Sequence, residues 1–255
     1  MKARLRFTKL GKLRFLSHRD LARIWERSLR RASVQVAYSE GFSPRPKLHF
    51  GLALSTGHES LAEYLDIDLV DGAGLEPADL PDVLADVLPP GIEAQIAVPI
   101  GPGTESLQQS VTSCRWELEV VGQEPAALAE ALARALAAPE LPLVVERKGS
   151  PVDLDARPAI VALELADERS PLVVDLSRVA PIRPSTVIVA ELATQSRSLR
   201  PAELVRALDP SWVEGRVLRT HQWTLVDGAR RELIPLPEGG ARGARSTPHA
   251  GARAS

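Results

Sequence analysis

Three things are scarce in this chain of 255 residues: thiols, rings and, over one long stretch, positive charge. There is one cysteine, Cys114, and Phe, Trp and Tyr together make up 4% of residues. A single thiol excludes an intramolecular disulfide framework, a cysteine-based zinc site and a cysteine-ligated iron–sulfur cluster within this chain. So few rings leave little for a stacking sheet of the RNA-recognition-motif kind. No run approaches the ~20 apolar residues of a membrane span. The basic opening MKARLRFTKLGKLRFLSHRD never becomes the apolar core of a signal peptide. A cytoplasmic location is therefore expected.

Chemical motifs are missing too. The sequence has no GxxxxGK[ST], no GxGxxG after a strand, no HExxH and no GxSxG. Its five histidines (His18, His49, His58, His221 and His249) have no metal-ligand spacing. No cofactor is implied. Cys114 falls on the apolar parity of a strand beside Trp116, the setting of a small buried hydrophobe.

What is present is a separation of charge. Residues 1–50 hold 13 Lys and Arg against 3 Asp and Glu, whereas residues 51–110 hold no Lys or Arg and 11 Asp and Glu. The net charge of −2 hides this. Either the two blocks face each other within one fold, or the basic block faces a polyanion.

Residues 2–8 alternate, with Ala3, Leu5 and Phe7 on one side and Arg4 and Arg6 on the other, the pattern of a half-buried strand. Ser17, with Asp20 three residues on, reads as a helix cap. Leu21, Ile24, Trp25, Ser28, Leu29 and Ala32 then share one face of a helix over 17–32. A loop rich in Gly and Pro follows, then strands over 48–54 and 61–69, a helix over 77–88 and a strand over 92–98. That order is βαββαβ, the split pattern of a ferredoxin-like sandwich. In the strand order 4-1-3-2, Arg4 and Arg6 lie beside Asp66 and Asp68.

The order recurs after a Pro/Gly/Ser-rich stretch. A strand at 114–120, a helix at 125–138, strands near 142–147, 158–165, 171–176 and 185–192, a helix at 200–208 and a strand at 212–220 are expected. The reading is α+β, with duplicated tandem ferredoxin-like sandwiches. Its divisions are a unit at 1–98 with a basic first helix, a linker at 99–110, a second unit with an insertion at 111–235, and a disordered tail at 236–255.

The basic residues of the first unit are the candidate nucleic-acid contacts: Arg14, Arg19, Arg23, Arg27, Arg30, Arg31, Arg45 and Lys47. On the helix only Glu26 opposes its five arginines within one face, so self-neutralisation is weak. Such a run is either a solvated face or a phosphate-binding one. His18 and Asp20 occupy the first helical turn, where free N–H groups favour anions. They are weak catalytic candidates, with His18 as a phosphate contact or proton carrier. The alternative is a packed histidine beside a capping aspartate.

The stretch LGKLRFLSHRDLARIWERSLRRASVQVAYSEGFSPRPKLHFGLALSTGHESLAEYLDIDL resembles the start of the radical SAM-linked protein family, a domain of unknown function found alone or joined to a cobalamin-binding radical SAM protein. SH-x-DL at 17–21, YSEGFSPRPK at 38–47 and G-x-ES-x-AEY-x-D at 57–66 carry the likeness. Weaker echoes are LPPGI at 88–92, VDLDARPAI at 152–160, LRPAELVRAL at 199–208 and VLRT at 217–220. Arg19 replaces a leucine of the family pattern, and Ser43 an asparagine. The resemblance, with the family's frequent gene neighbourhood with ribonuclease E/G, implies RNA and a radical SAM protein or ribonuclease complex as partners. Since this chain lacks the three-cysteine cluster motif, radical chemistry would come from another polypeptide.

The function expected from these readings is a non-catalytic RNA-binding or docking module assisting a radical SAM RNA-modifying enzyme or RNA-processing complex. Two alternatives belong to other classes. One is an RNA-cleaving or RNA-modifying enzyme using His18, since tandem ferredoxin-like domains occur in CRISPR RNA endonucleases. The other is a protein-interaction adaptor that presents the acidic block at 51–110.

Overall fold

The computed structural model describes every residue except 73, 148, 179–184, 196–198 and 237–255. Its elements in chain order are β1 (Lys2–Lys9), α1 (His18–Arg31), β2 (Leu48–Phe50), β3 (Glu59–Asp68), α2 (Leu80–Leu84), β4 (Ala94–Ile100), α3 (Leu107–Ser110), β5 (Ser113–Val121), α4 (Pro125–Ala137), β6 (Pro142–Arg147), β7 (Ser150–Asp155), β8 (Ile160–Leu165), α5 (Pro171–Leu176), β9 (Ser185–Ala193), α6 (Pro201–Leu208), β10 (Glu214–Val226) and β11 (Ala229–Glu232). This is an α+β fold. One sheet runs β4-β1-β3-β10-β5-β9-β8, with β2 on β3 and β11 on β10, while β6 and β7 form a separate hairpin. Pairing is antiparallel except at the β3–β10 junction, where Leu218 and Arg219 lie parallel to Glu59 and Ser60.

Alternation decides which side of the sheet is covered by helices. Ala3, Leu5 and Phe7 of β1 and Leu65 and Ile67 of β3 pack with Leu21, Trp25 and Leu29 of α1 and with Leu80 and Leu84 of α2. Trp25 meets Phe7 edge-on at 4.8 Å, a favoured aromatic geometry. Farther along, Cys114, Trp116, Leu118 and Val120 of β5 pack with Leu128 and Leu132 of α4 and Leu204 and Val205 of α6. Cross-strand partners point to one side of a sheet, and the register pairs Phe7 with Glu63 and Arg219 with Trp116. Glu63 bonds Arg219, so both helical layers lie on the same face. On the reverse face, Ala62 and Tyr64 are closed over by Leu107 and Ile234, and Leu218 and Val187 by Leu172.

Several expectations change in detail. The strand expected over 48–54 stops at Phe50, and β10 joins β3 farther along, at Glu59 and Ser60. Gly51 still donates to the Tyr64 carbonyl, after which the chain leaves the sheet. The strand expected at 171–176 is the helix α5. Pro171 fits the first helical position, buried Glu117 accepts the Leu172 N–H at 2.7 Å, and Leu172, Val173 and Leu176 all reach one apolar cluster. Arg4 does pair with Asp66, but Asp68 lies opposite Lys2, and Arg6 crosses from Tyr64 to Glu232.

The stretch expected as a linker, 99–110, begins as the end of β4 and ends as α3, with Leu107 2% exposed against the sheet. The unforeseen β11 is a hairpin return through Asp227 and Gly228, both at positive φ, as two-residue turns require. The insertion expected within 111–235 falls partly on residues 179–184 and 196–198, outside the described residues. So does the tail from 237 onward.

Candidate nucleic-acid interface

Ser17 caps α1. Its Oγ accepts the Asp20 N–H at 3.2 Å and donates to the Asp20 carboxylate at 2.7 Å. That bond, then Arg23 and Arg19, holds the Asp20 carboxyl below its ordinary range. With Leu21, Trp25, Ser28 and Leu29 turned into the core, Arg19, Arg23, Arg27, Arg30 and Arg31 are forced outward and exposed. Arg23 pairs with Asp20 at 3.3 Å. Arg14, before the helix, is 3.9 Å from Glu59 and lies over the Phe15 ring. Among the described residues, Arg19, Arg27, Arg30, Arg31, Arg45 and Lys47 make no ion pair.

The loop carrying Arg45 and Lys47 is ordered as a narrow hairpin. Tyr38 bridges Pro46, Ser39 N–H donates to the Arg45 carbonyl at 2.8 Å, and Lys47 N–H donates to the Ala37 carbonyl at 2.8 Å. This holds Phe42 fully exposed near the tip, with Tyr38 half exposed behind it. Phe42 and Tyr38 thus stand exposed on the same loop as Arg45 and Lys47.

The acidic block divides. Its strand residues are consumed internally: Asp66 by Arg4, Glu63 by Arg219, and Glu59 by Arg216 and Arg14. Asp68 faces Lys2 and His49, and Asp71 the N-terminal ammonium. Among the described residues, Glu76, Asp79, Asp82 and Asp86, around α2, make no ion pair, and all four are exposed.

The seam between the two helical layers holds a second set of charges that the sequence reading did not single out. Arg219, 1% exposed, donates to Glu63 at 2.5 and 3.2 Å and to the Leu52 carbonyl at 3.0 Å, with its guanidinium 5.2 Å from the Trp116 ring centre. Lys9, also buried, donates weakly to the Arg14 and Leu16 carbonyls. Burial lowers its pKa, with Glu63 acting in opposition. Cys114 lies beneath, its thiol pushed up to about 11 by burial, which fits the structural role read from its parity.

His18 does not sit in this seam's hydrogen-bond network. Its ring meets Phe50 edge-on at 5.1 Å, and among the described residues it makes no hydrogen bond. The Asp20 carboxylate is engaged by Ser17 and Arg23 and does not orient His18. No group of three or more His, Cys, Asp or Glu among the described residues could hold a metal ion. No helix among them is long and apolar enough to cross a membrane.

His18 and Phe50 instead help to line a groove of about 580 Å³. Its walls come from β1, the start of α1, β2 and the loop after it, β3 and α3. Leu48, Leu52 and Leu107 make the apolar part, and Lys2, His49, Asp66 and Gln108 the polar part.

A family model described as an uncharacterized protein conserved in bacteria (DUF2344) matches residues 2–201. The chain belongs to this family. The matched span takes in α1, the hairpin loop and every residue that lines the groove, whereas Arg216, Arg219 and Glu232 lie beyond it. The family description names neither chemistry nor partner. No curated protein matches the chain. Among solved structures the chain is similar to one chain in the crystal structure of a Cbf5-Nop10-Gar1 complex, with a TM-score of 0.45 and 6% identity, over 86% of this chain and 48% of that one. It spans about half the length of that protein.

Proposed function

We propose that the protein is a non-catalytic RNA-binding or docking module. The observation that carries the reading is the set of six exposed cations without ion pairs on α1 and the loop after it, Arg19, Arg27, Arg30, Arg31, Arg45 and Lys47. Arginines that serve the fold are paired here, as Arg4, Arg216 and Arg219 are. Six left unpaired on neighbouring elements, with Phe42 and Tyr38 beside the last two, supply both the phosphate contacts and the stacking faces of a single-strand binder. RNA in preference to DNA and a radical SAM protein or ribonuclease complex as the assisted partner rest on the sequence resemblance alone, and a cytoplasmic setting on the composition of the chain.

The architectural side of the proposal is that residues 1–98 and 111–235 are duplicated ferredoxin-like units. Strand order supports it: β4-β1-β3-β2 in the first part and β10-β5-β9-β8 in the second both follow 4-1-3-2. The first unit would present the RNA surface.

Binding of a labelled ribo-oligonucleotide across a salt series tests the function. In wild type, log Kobs should fall with log salt by about 0.7 for each phosphate contacted. Changing Arg27, Arg30, Arg31, Arg45 and Lys47 to Ala should remove most of that slope. Salt-insensitive binding, or binding unchanged in the variant, would sink the reading in favour of an adaptor that uses the acidic surface around α2. RNA cleavage by the purified protein that disappears in His18→Ala would replace it with the enzyme reading.

A further inference from the structure

We infer that the groove between β2 and α3 receives an unpaired nucleobase of the bound strand, with Phe50 as its stacking face and His18 and Gln108 at its edges. The inference rests on the RNA reading above and assigns the part of the surface that meets bases, not phosphates.

Volume, charge and position each support this. About 580 Å³ lies within the range of small-molecule sites, which are mostly apolar with a few placed polar groups. The groove's interior is close to neutral. Asp66 is held by the Nε and Nη2 of Arg4 at 2.8 and 3.0 Å, and Lys2 and His49 share Asp68 at 3.5 and 3.7 Å. A phosphate gains little in such a place, whereas a base, neutral and flat, loses little by entering it. The groove also borders the cations. Arg19 follows His18 in the chain, and Lys47 precedes Leu48, so a backbone on those two cations brings its bases to the groove.

The polar groups are suited to a base edge. Gln108 is fixed by donating from Nε2 to the Phe50 carbonyl at 2.7 Å, which orients its amide and leaves its oxygen as an acceptor. The His18 ring is exposed, makes no hydrogen bond among the described residues, and stands edge-on to Phe50 at 5.1 Å. It can therefore offer either a donor or an acceptor beside a base lying on Phe50.

The test compares an oligouridylate of about twelve nucleotides, within the range of single-strand site sizes, with an abasic ribose-phosphate oligomer of equal length. One base on an aromatic face corresponds to a preference of about 5- to 150-fold for the base-bearing strand. Phe50→Leu should abolish most of that preference, and Gln108→Ala, outside the apolar core, should reduce it; neither should alter the salt slope. With 4-thiouridine in the strand, photocrosslinks should map to residues 48–53 or 104–108. Crosslinks confined to Tyr38 and Phe42 would overturn the groove and keep the RNA reading. Equal binding of both oligomers, with the salt slope intact, would overturn the groove and the stacking role of Tyr38 and Phe42, and keep the phosphate contacts. Binding of neither would overturn both.

Discussion

Arginine has two opposite roles in this molecule, and comparing them shows what places a charge. Arg219 sits on a strand, on the parity shared with Trp116 and Val217, and is enclosed where the two helical layers meet. Its burial is tolerable because Glu63 and the Leu52 carbonyl take its donors. Arg27, Arg30 and Arg31 sit on the outer face of α1, the inner face being filled by Trp25 and Leu29, and among the described residues they make no ion pair. A buried cation without a partner is costly, so pairing in the seam is required by stability. The outer arginines are free of that requirement, and the proposed RNA surface would account for their number.

The sharpest way to break this comparison is to unpair the seam. In Glu63→Gln, Arg219 and Lys9 remain buried with no carboxylate, and the expected loss is about 3–5 kcal/mol, the scale for breaking a buried pair from one side. It would appear as a large drop in the urea midpoint. Adding Arg219→Met should return much of the loss, since the double change leaves an apolar group in place of an orphaned charge. If Glu63→Gln costs no more than a surface substitution, the seam is wetter than its burial indicates and the contrast fails.

The matching change on α1 and its following loop should do the reverse. With Arg27, Arg30, Arg31, Arg45 and Lys47 all changed to Ala, the urea midpoint should move little. Each surface substitution is worth about ±0.5 kcal/mol at most, and alanine favours the helix at three of the five. Affinity for a ribo-oligonucleotide should fall steeply in the same protein. A parallel loss of stability and binding would show that these side chains serve the fold and would remove the basis for the proposed interface.

The outer set was legible in the sequence because helical period is local: once Leu21, Trp25 and Leu29 mark the inner face, the arginines between them must face out. Ser17 and Asp20 marked the start of the same helix. The strand β1 was legible for a like reason, and so was the Arg4–Asp66 pairing. The seam was not, because Lys9, Glu63 and Arg219 come from three distant strands, and their meeting depends on the parallel β3–β10 junction. A signal was present in VLRT, where Arg219 shares the parity of the apolar Val217. In α5, Val173 and Val174 have the β-branched character of a strand, which outweighed Ser170 and Pro171 as a helix start. The groove could not be read in advance, as its walls come from residues 2, 18, 48–53, 66 and 104–108.

Glu117 sharpens the comparison at its weakest point: a carboxylate 4% exposed whose hydrogen-bond donor is the Leu172 backbone N–H, with Arg115 acting only at longer range. Burial raises its pKa and the backbone bond only partly opposes this. In the unfolded chain the carboxyl releases its proton near pH ~4.3, whereas in the folded protein it holds it to a higher pH. Stability therefore falls as pH rises from the unfolded value through the folded one, and the cost persists at neutral pH. Glu117→Gln keeps an oxygen to accept from Leu172 and never ionises. It should match wild type below pH ~4 and be the more stable protein at pH 7. Urea midpoints at the two pH values measure the difference. A variant less stable than wild type at pH 7 would mean that the Leu172 N–H holds the Glu117 carboxylate as an anion, and that a backbone donor suffices where the seam uses arginine.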